Sequence, residues 1–254
     1  MSVRSSILVS VLLMSSAAAG AQTIRVAVAS DFGPTMKKLV AAYEKKSPAR
    51  FEIITGASGT LFAQIQNGAP FDLFFSADSE YPERLIADSI ADRGSLKKYA
   101  IGALVVWALR SGPVDPTVET EYLGLTDPRV KHIAIANPAH APYGRAAVAA
   151  LKSMGIYEKV QGKLVLGENI AQTAQFVQSG NAEIGLISLS QALNESNLKV
   201  GRMMPVFPRL YPPIEQAAVV LSSSSHISQC KGFLDFVTSE EGRRIISKEG
   251  FQLP

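Results

Sequence analysis

Four places in the sequence pass from an apolar run into a helical pattern through small or hydroxyl-bearing residues. They are Ala29-Ser30, Gly56-Ala57-Ser58-Gly59-Thr60, Pro142-Tyr143-Gly144 and Glu168-Asn169-Ile170. The first N–H groups of a helix lack an intrahelical acceptor, and the helix dipole adds about half a positive charge there. If these junctions lie at the carboxyl ends of parallel strands, where open α/β folds bind ligands, they converge on one point. The pattern therefore indicates an anion site that needs no lysine or arginine.

The same residue types also suit a purely structural role. Ser30, Ser58 and Asn169 belong to the types that lead the helix N-cap preferences, so each one taken singly is explained as a cap. The two roles are compatible, because a cap and an anion compete only partly for the same N–H groups.

No pattern for catalysis or metal binding stands out beside these junctions. The three histidines, at 132, 140 and 226, lack the H-E-x-x-H spacing of a zinc site, and no G-x-S-x-G, G-x-G-x-x-G or G-x-x-x-x-G-K motif is present. Asp72 and Asp78 flank an apolar run and leave open a secreted enzyme with paired carboxylates, although a strand-end turn also explains Asp78. Cys230 is expected to be a partly buried small residue, and as a single cysteine it excludes an intrachain disulfide.

Short apolar runs alternate with helical patterns along residues 22–254, which predicts an α/β fold with largely parallel strands covered by helices. Three strand–helix units precede Gly102, and three more lie between Ala103 and Pro205. A Pro-rich stretch then leads to a strand at 216–221, which we expect to return the chain to the first unit. The predicted strands are 24–29, 51–54, 71–75, 103–109, 132–136, 164–166, 184–187 and 216–221. The predicted division is a first lobe of 22–102, a second of 103–213 and a return segment of 214–254.

The first 21 residues have the layout of a secretory signal peptide. Arg4 provides a positive start, residues 7–14 are an apolar core, and Ala19-Gly20-Ala21 supplies small residues for cleavage. The apolar run is too short for a membrane span of about 20 residues. We therefore expect an exported protein located in the periplasm. Its net charge of +3 is spread along the chain without a basic stripe, so composition gives no support for a nucleic-acid partner.

Five segments resemble the periplasmic molybdate-binding proteins that serve ABC importers, and the resemblance extends over nearly all of residues 22–254. They are Ala27-Val28-Ala29-Ser30, then Gly56-Ala57-Ser58-Gly59-Thr60-Leu61 before Gln64-Ile65, the run from Gly68-Ala69-Pro70 to Ser76-Ala77-Asp78, Asn137-Pro138 with Pro142-Tyr143-Gly144, and Gly250-Phe251. The run ending at Asp78 is the most specific. The resemblance implies a two-lobed, type II substrate-binding fold, in which each lobe is a mixed sheet flanked by helices and the ligand lies in the cleft between the lobes.

The resemblance also implies a ligand, a set of binding residues and a partner. A tetrahedral dianion, molybdate and also tungstate, is expected to be held by the hydroxyl and amide groups of Ser30 and Ser58 and by the amides of Tyr143 and Ile170. Ser30 and Ser58 would contact the oxygens of the anion and not the molybdenum. No cofactor and no catalysis are implied. The partner would be the membrane permease of an ABC transporter, and the binding protein itself is expected to be a monomer.

Two positions differ from the usual family pattern and keep a second ligand class open. Ser188 stands in the strand-end segment where several members have a tyrosine, so it is the candidate hydroxyl there. Asp31 follows Ser30 where a neutral residue is usual, and we expect it either to cap the helix ahead of Pro34 or to face the site with its charge. We hypothesise that the Tyr143 phenol compensates for the missing tyrosine. The alternative to molybdate is another oxyanion or a small organic acid on the same fold.

Overall fold

The computed structural model describes residues 23–117 and 120–254 and contains two five-stranded sheets flanked by helices. The strands are β1 (Thr23–Ala29), β2 (Arg50–Gly56), β3 (Leu73–Ser76), β4 (Lys97–Gly102), β5 (Leu104–Leu109), β6 (Ile133–Ala136), β7 (Leu164–Gly167), β8 (Ile184–Ser188), β9 (Gly201–Pro205) and β10 (Ile214–Val220). The helices are α1 (Gly33–Tyr43), α2 (Ser58–Gln66), α3 (Glu80–Ala87), α4 (Pro142–Ser153), α5 (Tyr157–Val160), α6 (Ile170–Gln178), α7 (Leu189–Ala192), α8 (Glu195–Val200), α9 (Ile227–Thr238) and α10 (Glu240–Lys248).

The two sheets have matching topologies. The first has the order β2-β1-β3-β10-β4 and the second the order β7-β6-β8-β5-β9. In each sheet three neighbouring strands run parallel, and the last two are antiparallel to their neighbours. Parallel strands present their carboxyl ends at one edge, where the helix junctions follow. The predicted α/β, two-lobed type II fold with mixed sheets is thus confirmed, whereas the expectation of largely parallel strands is wrong, because four of the eight strand pairings among the described residues are antiparallel.

The chain crosses between the sheets at two places. Only Ala103 separates β4 from β5, and the Pro-rich residues 206–213 connect β9 to β10. The return strand β10 lies between β3 and β4 of the first sheet. This distribution of strands between the sheets is compatible with a first lobe of 22–102, a second lobe of 103–213 and a return segment of 214–254. The boundaries themselves stay a prediction.

The eight strands expected from the sequence are all present, whereas β4 and β9 were missed. Both missed strands lie at the edge of their sheets, and each has partly exposed residues such as Lys98 and Arg202. An edge strand packs on fewer neighbours and so needs no continuous apolar run. The sequence analysis also missed α5, α7 and α8, which have only four to six residues, and α3, although its buried residues Tyr81 and Leu85 have helical spacing.

The first sheet packs into two apolar clusters, and the second sheet into a third, which Ala29, Ala57 and Ala77 of the first lobe also join. In the first lobe, Phe32 contacts Tyr99 and Phe251 with ring centroids 4.6 and 5.2 Å apart, and Phe233 packs on the same side. In the second lobe, Trp107 is buried against Gly201. The predicted signal peptide, residues 1–21, lies outside the described residues. Within the part of the chain that is described, no helix is long and apolar enough to cross a membrane.

Gly144 lies in the first turn of α4, where the helix passes close to the end of β6. A Cβ atom at this position would stand 2.2 Å from the Ala136 carbonyl oxygen, which is backbone and cannot swing away. We predict that Gly144→Ala lowers the free energy of unfolding by about 2 kcal/mol, since steric overpacking exceeds the gain in helix propensity. Thermal unfolding should show a Tm several degrees lower.

Gly162→Ala is the matched control. Gly162 lies in a short 3-10 turn, and a Cβ there would meet no atom within 4 Å. Its Tm should stay close to that of the parent protein. Equal Tm values for Gly144→Ala and the parent would contradict the close approach of α4 to β6.

Candidate functional site

A small cavity lies between the two lobes, at the carboxyl ends of β1, β2 and β3 and the N-termini of α4 and α6. The residues that line it come from all four sequence junctions and are Ala29, Ser30, Asp31, Gly56, Ala57, Ser58, Ala77, Ala141, Pro142, Tyr143 and Ile170. Four of the five predicted binding residues, Ser30, Ser58, Tyr143 and Ile170, are thus brought together at one place.

Three helix N-termini direct backbone donors toward this cavity. Ser58 and Ile170 are the first residues of α2 and α6, and Tyr143 is the second residue of α4. An N–H group at these positions has no acceptor within its own helix. Among the described residues, none of the three donates to another backbone or side-chain acceptor. The arrangement leaves three amide donors, from both lobes, for a ligand.

Two serine hydroxyls add further donors. The Ser58 Oγ accepts a hydrogen bond from the Ala77 N–H at 2.9 Å, which leaves its own hydrogen free to donate. The Ser30 backbone is fixed, because its N–H donates to the Gly56 carbonyl at 3.0 Å and its carbonyl accepts from Gln191. Its hydroxyl makes no hydrogen bond with any other described residue. Neither serine is a helix cap, since Ala57 and Phe32 occupy the N-cap positions of α2 and α1.

The Asn169 side chain, in contrast, is a cap. It accepts hydrogen bonds from the N–H groups of Ala171 and Gln172 and leaves the Ile170 N–H unbound. The cap therefore satisfies the second and third donors of α6 and keeps the first available. Cap and anion roles divide between neighbouring N–H groups here, as the sequence analysis anticipated.

Asp31 is the only charged residue that lines the cavity, and it is 1% exposed. The prediction that it caps the helix before Pro34 is wrong: Phe32 is the N-cap residue of α1 and no side chain caps that helix. Instead, the Gln216 side-chain amide donates to Asp31 Oδ2 at 2.5 Å and to the Tyr143 hydroxyl oxygen at 3.4 Å. Burial raises the pKa of Asp31 to about 6, and these hydrogen bonds offset only part of the effect.

The Tyr143 phenol is therefore already engaged within the protein. Its hydroxyl accepts a hydrogen bond from Gln216 Nε2 at 3.4 Å, and its ring packs against Gly102 of the first lobe. The amide N–H of Tyr143 is the group that remains for a ligand.

Ser188 does not line the cavity. It is fully buried, its Oγ accepts from the Gln191 N–H at 3.2 Å, and it lies 3.0 Å from the Ser190 hydroxyl. Gln191 in turn donates to the Ser30 carbonyl at 3.0 Å. Ser188 therefore caps α7 and holds the residue that supports Ser30.

The lobes contact each other on several sides of the cavity. The Arg145 guanidinium pairs with the Asp78 carboxylate at 2.5 Å, and the Gly59 N–H donates to the His140 carbonyl at 2.8 Å. The Ser190 hydroxyl donates to the Asp31 carbonyl at 3.1 Å. These contacts join α2, β3 and the β1–α1 turn to the second lobe, so the cleft is closed.

The carboxylates and the cysteine considered for catalysis have other partners. Asp72 accepts from the Arg25 N–H and from the Ser224 hydroxyl, whereas Asp78 pairs with Arg145. Cys230 is fully buried, and burial raises the pKa of its thiol to about 12, so it is not a nucleophile. Within 23–117 and 120–254, no group of histidine, cysteine and acidic side chains could hold a metal ion.

The sequence analysis missed Gln216, Gln191 and Arg145 as supports of the site. Gln216 had a detectable signal, because it is a polar residue in the otherwise apolar run of β10 and is fully buried. A buried amide needs partners, and here it finds Asp31 and the Tyr99 hydroxyl, which is 2.8 Å from its Oε1. Arg145 and Gln191 carry no such signal, since their partners lie 67 and 161 residues away in the chain.

Comparisons with known proteins match nearly the whole chain to proteins that bind solutes outside the cytoplasm. The family model described as bacterial extracellular solute-binding protein matches residues 24–252. The molybdate-binding protein ModA of Azotobacter vinelandii is 38% identical over 236 residues, covering 93% of this chain and 92% of that protein. ModA of Rhodobacter capsulatus is 34% identical over 233 residues, with coverages of 92% and 89%.

A solved structure gives the corresponding result for the fold. The periplasmic molybdate-binding protein of Azotobacter vinelandii superposes with a TM-score of 0.82 at 32% identity and covers 91% of this chain and 99% of its own. The chain therefore belongs to the bacterial extracellular solute-binding protein family, whose members bind solutes and do not catalyse reactions.

Proposed function

We propose that this protein captures molybdate in the cavity between its lobes and delivers it to the membrane permease of an ABC importer. The observation that carries the proposal is the convergence of three unbound helix N–H groups and two serine hydroxyls in a cavity without lysine or arginine. The relatives named as molybdate-binding proteins support it. The proposed ligand contacts are Ser30, Ser58, Tyr143 and Ile170, with Ser188 acting through Gln191.

Neutral donors suit a protein that must both bind and release a dianion. The oriented dipoles replace the hydration that the anion loses, so the cost of desolvation is offset. No countercharge remains to hold the anion once the lobes separate, because the amides of α2 lie in one lobe and those of α4 and α6 in the other. Opening of the cleft therefore divides the donor set and releases the ligand.

The same donors discriminate among oxyanions. The serine hydroxyls and the unbound N–H groups act as donors and leave the hydrogen of a protonated anion such as hydrogen phosphate without a partner, so that Asp31 Oδ1 is, among the described residues, the one side-chain oxygen of the cavity that could accept it. Tungstate is a tetrahedral dianion with the same oxygen acceptors, and it belongs in the proposed ligand class. Export through the 21-residue signal peptide, residence in the periplasm and a monomeric state complete the proposal.

Titration calorimetry of the ligand-free protein tests the ligand assignment. Molybdate and tungstate should each bind with one-to-one stoichiometry, whereas phosphate at the same ionic strength should give little heat. Sulfate, a smaller tetrahedral dianion, should bind more weakly because it fills the cavity less completely. If a small organic acid binds tightly and molybdate and tungstate give no heat, the ligand is a small organic acid and the proposal is wrong.

Ser30→Ala removes a donor without removing an internal hydrogen bond of the protein. We predict that the Kd for molybdate rises about 10- to 100-fold, because a hydrogen bond to a charged group contributes roughly 1.5–3 kcal/mol. Ser153→Ala, at the exposed C-terminal end of α4, is the matched control and should leave the Kd unchanged. An unchanged Kd in Ser30→Ala would remove this hydroxyl from the site.

The ion pair between Asp78 and Arg145 joins the lobes and should slow ligand release. We predict that Arg145→Gln and Asp78→Asn both increase the dissociation rate of molybdate, since each loses the contact that favours the closed cleft. Stopped-flow fluorescence measures this rate. The two variants change the net charge in opposite directions, so opposite effects on the rate would mean that Arg145 acts by attracting the anion. Arg244→Gln, which breaks an exposed pair with Glu240, is the control.

A further inference from the structure

One side-chain oxygen atom in the site is buried without a hydrogen-bond partner. Asp31 Oδ1 is the one fully buried side-chain nitrogen or oxygen without a hydrogen bond among residues 23–117 and 120–254. It belongs to the only acidic residue that lines the cavity. An unpaired buried acceptor is costly, and such atoms commonly mark a place where a ligand or a proton binds.

We propose that Asp31 binds the oxyanion as a neutral carboxylic acid, with the proton on Oδ1 donated to an oxygen of the anion. Capture of one dianion then takes up one proton from water, and release returns it. The inference rests on the proposed function, because it requires an anionic ligand in this cavity.

The hydrogen-bond pattern decides which oxygen carries the proton. Oδ2 accepts a hydrogen bond from Gln216 Nε2, and the orientation of that amide is supported by the Tyr99 hydroxyl at its Oε1. A proton on Oδ2 would face this donor, whereas Oδ1 has no donor against it. Protonation at Oδ1 therefore preserves the network and converts the orphaned acceptor into a donor.

Burial favours the neutral acid at Asp31, whereas its hydrogen-bond donors, Gln216 above all, favour the carboxylate and offset only part of that effect. The neighbours from other elements are Gln216 of β10, Tyr143 of α4, Tyr99 of β4, and Ser190 and Gln191 of α7, all uncharged. Burial raises the pKa values of Tyr99 and Tyr143 well above 10, so neither phenol ionises in the working range. Arg145 lies two residues after Tyr143 and carries a positive charge, but its guanidinium is paired with the Asp78 carboxylate of the other lobe.

A dianion bound in the cavity would further favour the neutral form of Asp31. The other lining groups that face a ligand are donors, namely the two serine hydroxyls and the three unbound N–H groups. An ionised Asp31 would add like-charge repulsion inside a site of low dielectric constant, and protonation removes it. Since burial already raises the pKa of Asp31 to about 6, the bound anion raises it further.

The affinity for the anion should fall as the pH rises. Above pH 6 the carboxyl group of the ligand-free protein is ionised, so binding must first take up a proton. The Kd should rise about tenfold for each pH unit between 6.5 and 8.5, until the pH exceeds the pKa of the bound state. Below pH 6 the Kd should be constant.

Calorimetry with molybdate, tungstate and sulfate at pH 8, in buffers of different ionisation enthalpy, measures the number of protons taken up. The parent protein should take up close to one proton per anion bound. Asp31→Asn replaces the acid by a neutral amide of the same shape with its own donor. It should bind without proton uptake, with a Kd that is independent of pH and lower than that of the parent at pH 8.

Asp235→Asn is the control, because it neutralises an exposed carboxylate on α9 that pairs with Lys97 at 3.5 Å. It should retain both the proton uptake and the pH dependence of the parent. Binding of molybdate by the parent without proton uptake and with a constant Kd would overturn the role of Asp31 and leave the proposed function intact. Failure of the parent to bind any of the three anions at pH 5.5 would overturn both. The parent measurement decides the question even if Asp31→Asn does not fold.

Discussion

The site depends on one physical constraint, which is that a helix cannot satisfy its own first N–H groups. Three helices place such groups at one cavity, and two serine hydroxyls complete a shell of neutral donors. These dipoles are fixed by the fold before a ligand arrives, so they need no reorganisation when the anion loses its water. The remaining features of the molecule serve to bring the donors together and to separate them again.

The topology explains how the donors meet. Parallel strands β1, β2 and β3 in one sheet, and β6, β7 and β8 in the other, end at edges that face each other across the cleft. Each lobe is therefore half of a binding site. The two crossings of the chain between the sheets, near Ala103 and through residues 206–213, connect the halves.

The network of Asp31, Gln216 and Tyr143 links the cavity to this junction of the lobes. Gln216 lies in the return strand β10, Tyr143 begins the first long helix of the second lobe, and the Tyr143 ring packs on Gly102 at the end of β4. A change of charge at Asp31 therefore acts on ligand and lobe contacts together. Proton uptake at this residue would give the importer a binding protein that holds its anion more firmly at lower pH.

The sequence by itself determined the strand and helix order, the α/β class and the positions of four donor groups. It could do so because apolar periodicity and junction residues such as Ser58 and Asn169 are local signals, read within a few residues of each other. Ser30 and Ile170 were identified in the same way, and the resemblance to a known family connected these positions to one ligand.

Only the tertiary structure decided what surrounds these donors. Asp31 was expected either to cap α1 or to face the site, and its carboxylate instead accepts a hydrogen bond from Gln216, which lies 185 positions away in the chain. Ser188 was expected at the ligand and instead caps α7, where it supports Ser30 through Gln191. The sequence analysis likewise missed the edge strands β4 and β9, because their partly exposed residues form no continuous apolar run. Local patterns fix which groups are free to bind, whereas partners that are distant in the chain fix the charge and position of those groups.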